Sequence, residues 1–176
     1  MPKELLLPLQ DFEGHDSYVP FLEFVGRHMP EGALILEGGT WSGTGARALG
    51  CRNHRVWTYD PYPQPGIEDG HRRGLLTDNI TWEPRKVLDI PIPQLLACDL
   101  FYLDIDPHAG TEEIEFYDHL KKVGFTGLLV CDDIAMNDGM RRFWDHIDLP
   151  KFTTGQRAHL TGMGVVSFSE RAKVTE

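Results

Sequence analysis

The chain has 176 residues, a length typical of one domain, and a formal net charge of −10 at pH 7. Because binding to a phosphate backbone depends on clustered Lys and Arg, this balance argues against a nucleic acid partner. No segment approaches the ~20 consecutive apolar residues that cross a bilayer, and the N-terminal apolar run is too short for a signal peptide. We expect one cytoplasmic domain over residues 1–176, a monomer or homodimer with no membrane partner.

The first half of the chain alternates helix and strand signals. A helix that begins at Pro20 precedes an apolar run over 33–36, and a second run of strand length follows over 56–59. Continuous apolar runs are typical of strands covered on both faces, as in parallel sheets. A cluster of Pro and Gly over 61–74 predicts a loop at one end of the sheet, where a lid could lie.

The second half repeats the alternation and then changes. Strand-length apolar runs occur over 100–103 and 128–131, and between them Thr111 is placed to cap a helix that Gly124 ends. Helical spacing predicts another helix on these residues: Met140, Phe143, Trp144 and Ile147. Two short strands, 152–154 and 165–168, follow. The sequence predicts an α/β fold: a doubly wound, mostly parallel, seven-stranded Rossmann-like sheet with an antiparallel C-terminal hairpin.

A glycine-rich loop follows the first parallel strand, with the sequence Glu37-Gly38-Gly39-Thr40-Trp41-Ser42-Gly43. Its glycines allow a ligand to approach backbone that a Cβ would shield, and a helix N-terminus follows them. The pattern is ExGxxxG, which differs from the pyrophosphate-binding GxGxxG and GxxxxGK[ST] motifs. It favours a nucleoside that carries an amino acid, bound by these residues: Glu37, Gly39, Thr40, Trp41, Ser42 and Gly43.

Asp60 follows the second parallel strand, 23 residues after Glu37. This spacing is close to the ~20 residues between a glycine loop and the ribose-binding acid of nucleotide folds. Asp before Pro also opens turns, which gives a purely structural alternative. Together with the glycine loop, the position favours a role for Asp60 in binding the ribose hydroxyls.

Two further strands end in acids, Asp104 with Asp106 and Asp132 with Asp133. Parallel strands bring their carboxyl ends to one edge of a sheet, so as many as four carboxylates converge. Two carboxylates ~4 Å apart repel by about 4 kcal/mol at an effective dielectric near 20, so such a cluster favours a bound cation or a shared proton. Oxygen ligands suit Mg²⁺, Mn²⁺ or Ca²⁺. The alternative is that these acids cap helices and bind loop amides.

These landmarks, in this order, resemble the class I S-adenosylmethionine-dependent methyltransferases over about residues 31–168. Residues 102–106 followed by 129–133 resemble the metal-dependent sugar O-methyltransferases of the macrocin type and, more distantly, catechol O-methyltransferase. The resemblance implies S-adenosylmethionine as cofactor, with the glycine loop at its methionine end and Asp60 at its ribose. It also implies a divalent cation bound by Asp104, Asp132 and Asp133.

The resemblance further implies methyl transfer to a hydroxyl, such as a vicinal diol of a sugar, glycan or other small molecule. Asp106 matches the acid proposed as general base. His108 is our second candidate, since an imidazole titrates near neutral pH, although a histidine after a proline in a loop is often a solvated surface group. A surface position is favoured more strongly for His159, on the C-terminal hairpin, with the alternative that its imidazole reaches a pocket.

Two other functions fit parts of this sequence. A hydrophobic run that ends in DxD, here Asp104 and Asp106, also occurs in metal-dependent glycosyltransferases, although these do not explain the glycine loop. The chain could also be a non-catalytic cofactor-binding module. The acids at four strand ends weigh against that.

Overall fold

The structure is a computed structural model that describes residues 4–62, 69–70, 72–74 and 76–175. The strands in chain order are β1 (Leu5–Pro8), β2 (Leu34–Gly38), β3 (Arg55–Tyr59), β4 (Ile80–Glu83), β5 (Leu100–Leu103), β6 (Leu128–Cys131), β7 (Lys151–Thr153), β8 (Gly164–Ser167) and β9 (Ala172–Thr175). The helices are α1 (Tyr18–His28), α2 (Thr44–Leu49), α3 (Ile92–Ala97), α4 (Thr111–Val123) and α5 (Asp138–His146). Short 3-10 turns occupy Leu9–Asp11 and Val87–Asp89.

Seven strands form the main sheet in the order β4-β3-β2-β5-β6-β8-β7. The strands from β4 to β6 run parallel, β8 pairs antiparallel with β6, and β7 pairs antiparallel with β8. This confirms the predicted α/β class and its antiparallel hairpin. Strand order changes direction between β2 and β5, and ligands of such sheets bind at this switch point, beyond the carboxyl ends of the strands.

The sheet is covered on both faces. Helices α1 and α2 bury Phe21, Leu22 and Leu49 in one apolar cluster, which includes the alternate strand positions Ile35 and Val56. The other face carries a second cluster, to which α3, α4 and α5 contribute Leu95, Phe116, Tyr117, Met140 and Phe143. Two cores on opposite faces explain why the strand sequences are apolar at successive positions.

Two helix starts differ from the prediction. Helix α4 begins at Thr111, but its N-cap is Gly110 in the left-handed region with φ +81°, and no side chain caps it. Helix α1 begins two residues before Pro20, and the Ser17 side chain accepts a hydrogen bond from the Val19 N–H. The first amides of a helix lack partners within the helix, and the Ser17 hydroxyl binds one of them. Proline has no N–H, so Pro20 fits in the first turn and the cap lies upstream of it.

A second, two-stranded sheet was not predicted. Strands β1 and β9 pair in parallel, with Leu5 opposite Ala172 and Leu7 opposite Val174. Leu5 and Leu7 are buried in the cluster beneath α1. Much of the predicted loop over 61–74 lies outside the described residues. In the part of the chain that is described, no helix has the length and apolar character needed to span a bilayer.

Candidate functional site

A cavity of about 320 Å³ opens at the carboxyl ends of β2 and β5, at the switch point of the sheet. Its lining residues are Tyr18, Glu37, Gly39, Thr40, Trp41, Ser42, Thr44, Gly45, Asp69, Arg73, Tyr102 and Asp104. Most of the predicted cofactor-binding residues lie on this wall. The exceptions are Gly43, which is the N-cap of α2, and Asp60.

Glu37 is the buried acid of this cavity, with 1% of its surface exposed. The Thr58 hydroxyl donates to its carboxyl, and the Thr40 hydroxyl lies 2.7 Å from the Thr58 oxygen. Since Thr58 has one hydroxyl proton and gives it to Glu37, Thr40 is the donor to Thr58. Burial raises the pKa of Glu37 to about 8, although the Thr58 hydrogen bond acts to lower it. The site therefore holds a carboxyl group whose charge a cationic ligand would stabilise.

The glycines of this loop serve the packing of the protein as well as any ligand. Gly39 has φ +97°, and a Cβ at this position would overlap the carbonyl oxygen of Asp104. Gly45, in α2, lies so close to Glu37 and Tyr102 that a Cβ would overlap the Glu37 carboxyl. The predicted role of Gly39 was access for a ligand. The structure shows that Gly39 also lets the ends of β2 and β5 approach each other.

Asp60 lies at the carboxyl end of β3, next to the glycine loop in the sheet, and is 7% exposed. Its Oδ1 accepts a hydrogen bond of 3.1 Å from the Tyr62 N–H, which is the turn-forming contact of the structural alternative. The negative charge of Asp60 also makes a small contribution to the raised pKa of Glu37. A role in ribose binding stays a prediction.

The acids that follow β5 and β6 converge through a buried tyrosine. The Tyr102 hydroxyl lies 3.1 Å from Asp104 Oδ2 and 2.9 Å from Asp132 Oδ2, and Tyr102 is 1% exposed. One hydroxyl proton is shared by two carboxylates, so each carboxylate takes its remaining hydrogen bonds from other groups of the cluster. Burial, together with the neighbouring charges of Asp132 and Asp133, raises the pKa of Asp104.

His108 completes one side of this cluster, in a left-handed conformation with φ +56°. Its Nε2 lies 3.1 Å from Asp104 Oδ1 and 3.3 Å from Asp133 Oδ2, and its Nδ1 lies 3.4 Å from Asp106 Oδ1. The hydrogen bond to Asp104 raises the pKa of His108 to about 9. Asp106 itself turns outward, with 82% of its side chain exposed.

His159 completes the other side, and the expectation of a solvated side chain is wrong. Its Nδ1 lies 3.1 Å from Asp132 Oδ1 and 3.4 Å from Asp133 Oδ1, and the hydrogen bond to Asp132 raises its pKa. The Thr161 hydroxyl donates to Asp133. Loop residues 134–135 bind residues 161–162 through backbone hydrogen bonds, which bring the hairpin to the end of β6.

The cluster offers two overlapping sets of possible metal ligands. One is Asp104, His108 and Asp133, and the other is Asp132, Asp133 and His159, each with ligand atoms within 4.8 Å of one another. Asp133 belongs to both sets, whereas Asp104 and Asp132 each belong to one, and each set includes an imidazole. A metal site formed by the three predicted acids stays a prediction. The predicted catalytic residue His108 belongs to the first set, whereas the outward carboxylate of Asp106 belongs to neither.

Sequence reasoning missed three residues of the site. Tyr102 lies inside a buried strand and has the pattern of a core residue, and no local signal predicts that His159 reaches an acid 27 residues away. Tyr18, the first residue of α1, lines the cavity, and its ring lies 5.8 Å from the His159 ring. Only the folded chain brings these three to the strand ends.

No family model matches the chain, and no curated protein matches it. Several solved structures match its fold. The S-adenosylhomocysteine-bound methyltransferase PaMTH1 of Podospora anserina superposes with a TM-score of 0.66 and 14% sequence identity, and the match covers 86% of this chain and 78% of that one. A putative S-adenosylmethionine-dependent methyltransferase of Methanococcus maripaludis gives 0.62 and 13%, over 87% and 85%. A putative O-methyltransferase of Klebsiella pneumoniae gives 0.58 and 15%, over 85% and 78%. This chain has the fold of the S-adenosylmethionine-dependent methyltransferases.

Proposed function

We propose that this chain is an S-adenosylmethionine-dependent O-methyltransferase that uses a divalent cation and acts on a hydroxyl of a small molecule, such as a vicinal diol of a sugar. The observation that carries the proposal is the position of Asp104. This residue lines the cavity beside the glycine loop and also belongs to the cluster of acids and histidines. A donor bound in the cavity and an acceptor bound at the cluster would therefore be neighbours.

The cavity suits the methionine end of the proposed cofactor. Glu37 supplies a buried carboxyl, which the positive sulfonium and ammonium groups would stabilise in its charged form. The loop from Gly39 to Ser42 provides a wall of backbone and small side chains, and Trp41, 72% exposed, stands at its edge. Asp60 is the proposed ligand of the ribose hydroxyls, which requires its carboxylate to exchange the Tyr62 amide for them or to bind both.

The donor set of the cluster suits a divalent cation. Asp104, Asp132 and Asp133 are the proposed ligands. Asp104 and Asp133 form a possible set with His108, and Asp132 and Asp133 form one with His159, each imidazole binding after loss of its proton. Carboxylates alone suit Mg²⁺ and Ca²⁺, but imidazole nitrogens favour a transition metal, so Mn²⁺ is the best match among the three predicted ions. A bound cation lowers the pKa of a coordinated hydroxyl, which a sugar or other alcohol needs to become a nucleophile at neutral pH.

The protein groups around the cluster would orient the acceptor and remove its proton. Tyr102 fixes Asp104 relative to Asp132, which keeps the two strand ends in register. Asp106 stays the first candidate for the general base, because its exposed carboxylate can pass a proton to water. His108 lies between Asp104 and Asp106 and would hold them at a fixed separation.

The glycosyltransferase alternative is not favoured by this geometry. That reading requires the two acids of the DxD to bind one ion together. Asp104 faces the other acids, but Asp106 points to solvent with 82% of its side chain exposed. A non-catalytic module would not need the convergence of five titratable side chains from three loops beside the cavity.

Calorimetry with S-adenosylhomocysteine, followed by a methyl-transfer assay, tests the proposal. We expect micromolar binding or tighter, and transfer of labelled methyl groups to members of a panel of glycosides and aryl diols, stimulated by Mn²⁺ and stopped by EDTA. A tRNA sample should remain unlabelled because of the acidic surface. Absence of cofactor binding would refute the proposal, and activity unaffected by EDTA would remove the cation from it.

A further inference from the structure

The charged side chains among the described residues of the cavity wall are all acidic but one. Glu37, Asp69 and Asp104 contribute carboxyl groups, and Arg73 is the one cation among the described lining residues. A chain with a net charge of −10 has no general excess of positive groups to attract an anion to this place. The position of Arg73 therefore matters for any ligand that carries both a positive and a negative group.

The segment that carries Arg73 is docked against the glycine loop. Gly70 lies so close to Ser42 that a Cβ would overlap the Ser42 carbonyl oxygen. Arg47, in α2, donates a 3.3 Å hydrogen bond to the Gly74 carbonyl. Asp69, one helical turn before Arg73, accepts a 3.1 Å hydrogen bond from its Nη1. These contacts hold the guanidinium on the cavity wall, and among the described residues Asp69 is the one hydrogen-bond acceptor that it has.

The methionine end of the proposed cofactor is zwitterionic. Its sulfonium and ammonium groups are attracted by the carboxyl groups of the cavity, which repel its α-carboxylate. A carboxylate in such surroundings requires a cation or several backbone amides to offset its desolvation. A guanidinium meets this need best, because its planar fork matches the two oxygens of a carboxylate.

We propose that Arg73 binds the α-carboxylate of the cofactor and makes the protein selective for cofactors that carry this group. The inference rests on the proposed function, since it assumes that S-adenosylmethionine occupies the cavity. Arg73 is a specificity-determining residue in this proposal. It would distinguish the intact amino acid end from the same nucleoside with an aminopropyl chain.

The neighbouring Arg72 provides a matched control. It also forms an ion pair with Asp69, but it does not line the cavity and its side chain is 78% exposed. Substitution of either arginine by methionine removes one positive charge and keeps much of the side-chain length. A nonspecific effect of net charge would appear equally in both variants, whereas a direct contact would appear in one.

The test is calorimetry with two ligands on three proteins. The ligands are S-adenosylhomocysteine and its decarboxylated analogue, 5′-deoxy-5′-(3-aminopropylthio)adenosine. For Arg73→Met we expect about a tenfold weaker affinity for S-adenosylhomocysteine, as for loss of one partly exposed charged hydrogen bond, and less than about a twofold change for the analogue. Arg72→Met should change neither affinity by more than about twofold.

The outcomes separate this inference from the proposed function. If the unmodified protein binds neither ligand, the proposed function fails and the role of Arg73 fails with it. If the unmodified protein binds S-adenosylhomocysteine but Arg73→Met weakens both ligands equally, or neither, the proposed function stands and Arg73 has no contact with the carboxylate. Arg73→Lys should recover part of the lost affinity, since it restores the charge without the fork.

Discussion

Strand β5 has an acid at each end, and the two acids differ in the charged groups that surround them. Asp99, before the strand, forms an ion pair with Arg171 and accepts a 3.1 Å hydrogen bond from the Leu34 N–H. Asp104, after the strand, faces Asp132 through the single hydroxyl of Tyr102. The amino edge of the sheet is thus electrically balanced by the protein itself. The carboxyl edge brings three carboxylates together and offsets their charge with the titratable imidazoles of His108 and His159.

This difference identifies the edge that is built for a ligand. The acid at the amino edge is paired with a guanidinium that stays charged, whereas the acids at the carboxyl edge share titratable imidazoles and lie close to one another, which disfavours their charged forms. Burial raises the pKa of both Glu37 and Asp104, so a positive ligand beside either group would stabilise its charged form. The predictions below test this contrast between the two edges.

The largest effect is expected for Glu37 in the ligand-free protein. Its pKa is about 8 in the folded chain and 4.5 when unperturbed, so its contribution to stability is fully present below pH 4.5 and is lost as the pH rises through 8. A shift of this size corresponds to a loss on the order of 5 kcal/mol. Glu37→Gln removes this titration, so its free energy of unfolding, measured with urea from pH 5 to 9, should fall less than that of the unmodified protein.

Two controls sharpen the test of Glu37. Glu23→Gln, at an exposed acid on α1, should leave the pH dependence of the unmodified protein in place. Saturating S-adenosylhomocysteine should reduce the alkaline loss in the unmodified protein and have little effect on Glu37→Gln. Parallel curves for Glu37→Gln and the unmodified protein would mean that Glu37 is not the buried titrating acid.

A large loss of activity is expected from Asp104→Asn, which replaces one carboxylate of the carboxyl edge by a neutral amide. The substitution removes one proposed cation ligand and should lower Mn²⁺-stimulated turnover at least about 100-fold, or about 2.7 kcal/mol of the barrier. The free energy of unfolding should change little, since the repulsion from Asp132 and Asp133 that is removed offsets the lost contact with His108. A methyl-transfer assay with added Mn²⁺ and chemical denaturation, on one preparation, measure the two quantities. A stability loss as large as that of an ordinary buried ion pair would contradict the contrast between the edges.

Much of the fold is predictable from local sequence. The apolar runs over 100–103 and 128–131 match β5 and β6 residue for residue, because both strands are buried on both faces and flanked by polar residues. The β1–β9 sheet is not predictable in the same way. Its strands have four residues each, come from opposite ends of the chain and alternate buried with exposed positions, so neither carries a strong signal alone.

The acids of the site are predictable because each follows a strand, and parallel topology brings strand ends together. The histidines and Tyr102 are harder to assign, since their roles depend on contacts between loops. His159 reaches Asp132 only because the loop before β8 binds the loop after β6. Arg73 follows a stretch of the chain with no clear periodic signal, so its position on the cavity wall emerges only from the docking of Gly70 on the glycine loop.

A moderate effect of the opposite kind is expected from Asp99→Asn at the amino edge. The Asp99–Arg171 pair is about 80% buried on both sides, so the neutral variant should lose about 2 kcal/mol of unfolding free energy, typical of a hydrogen bond between charged groups. Turnover per folded molecule should not change. Glu4→Gln, which breaks the exposed pair with Lys173, is the matched control and should cost less than about 0.5 kcal/mol. An Asp99→Asn protein of normal stability would show that this edge is not held by its charges.

The smallest effect is expected from Asp106→Asn, which tests whether an acid next to the cluster belongs to it. Asp106 is 82% exposed and contacts His108 at 3.4 Å, outside both sets of possible cation ligands. In the variant, water can accept the proton of the acceptor hydroxyl in place of Asp106. We therefore expect turnover to fall only about tenfold, at the weak end of general-base effects, with unchanged Mn²⁺ affinity. Added acetate or formate should restore part of the rate, since a small carboxylate can occupy the vacated position. Loss of Mn²⁺ affinity would instead mean that Asp106 is a ligand of the cation, and that the cation site includes this exposed side chain.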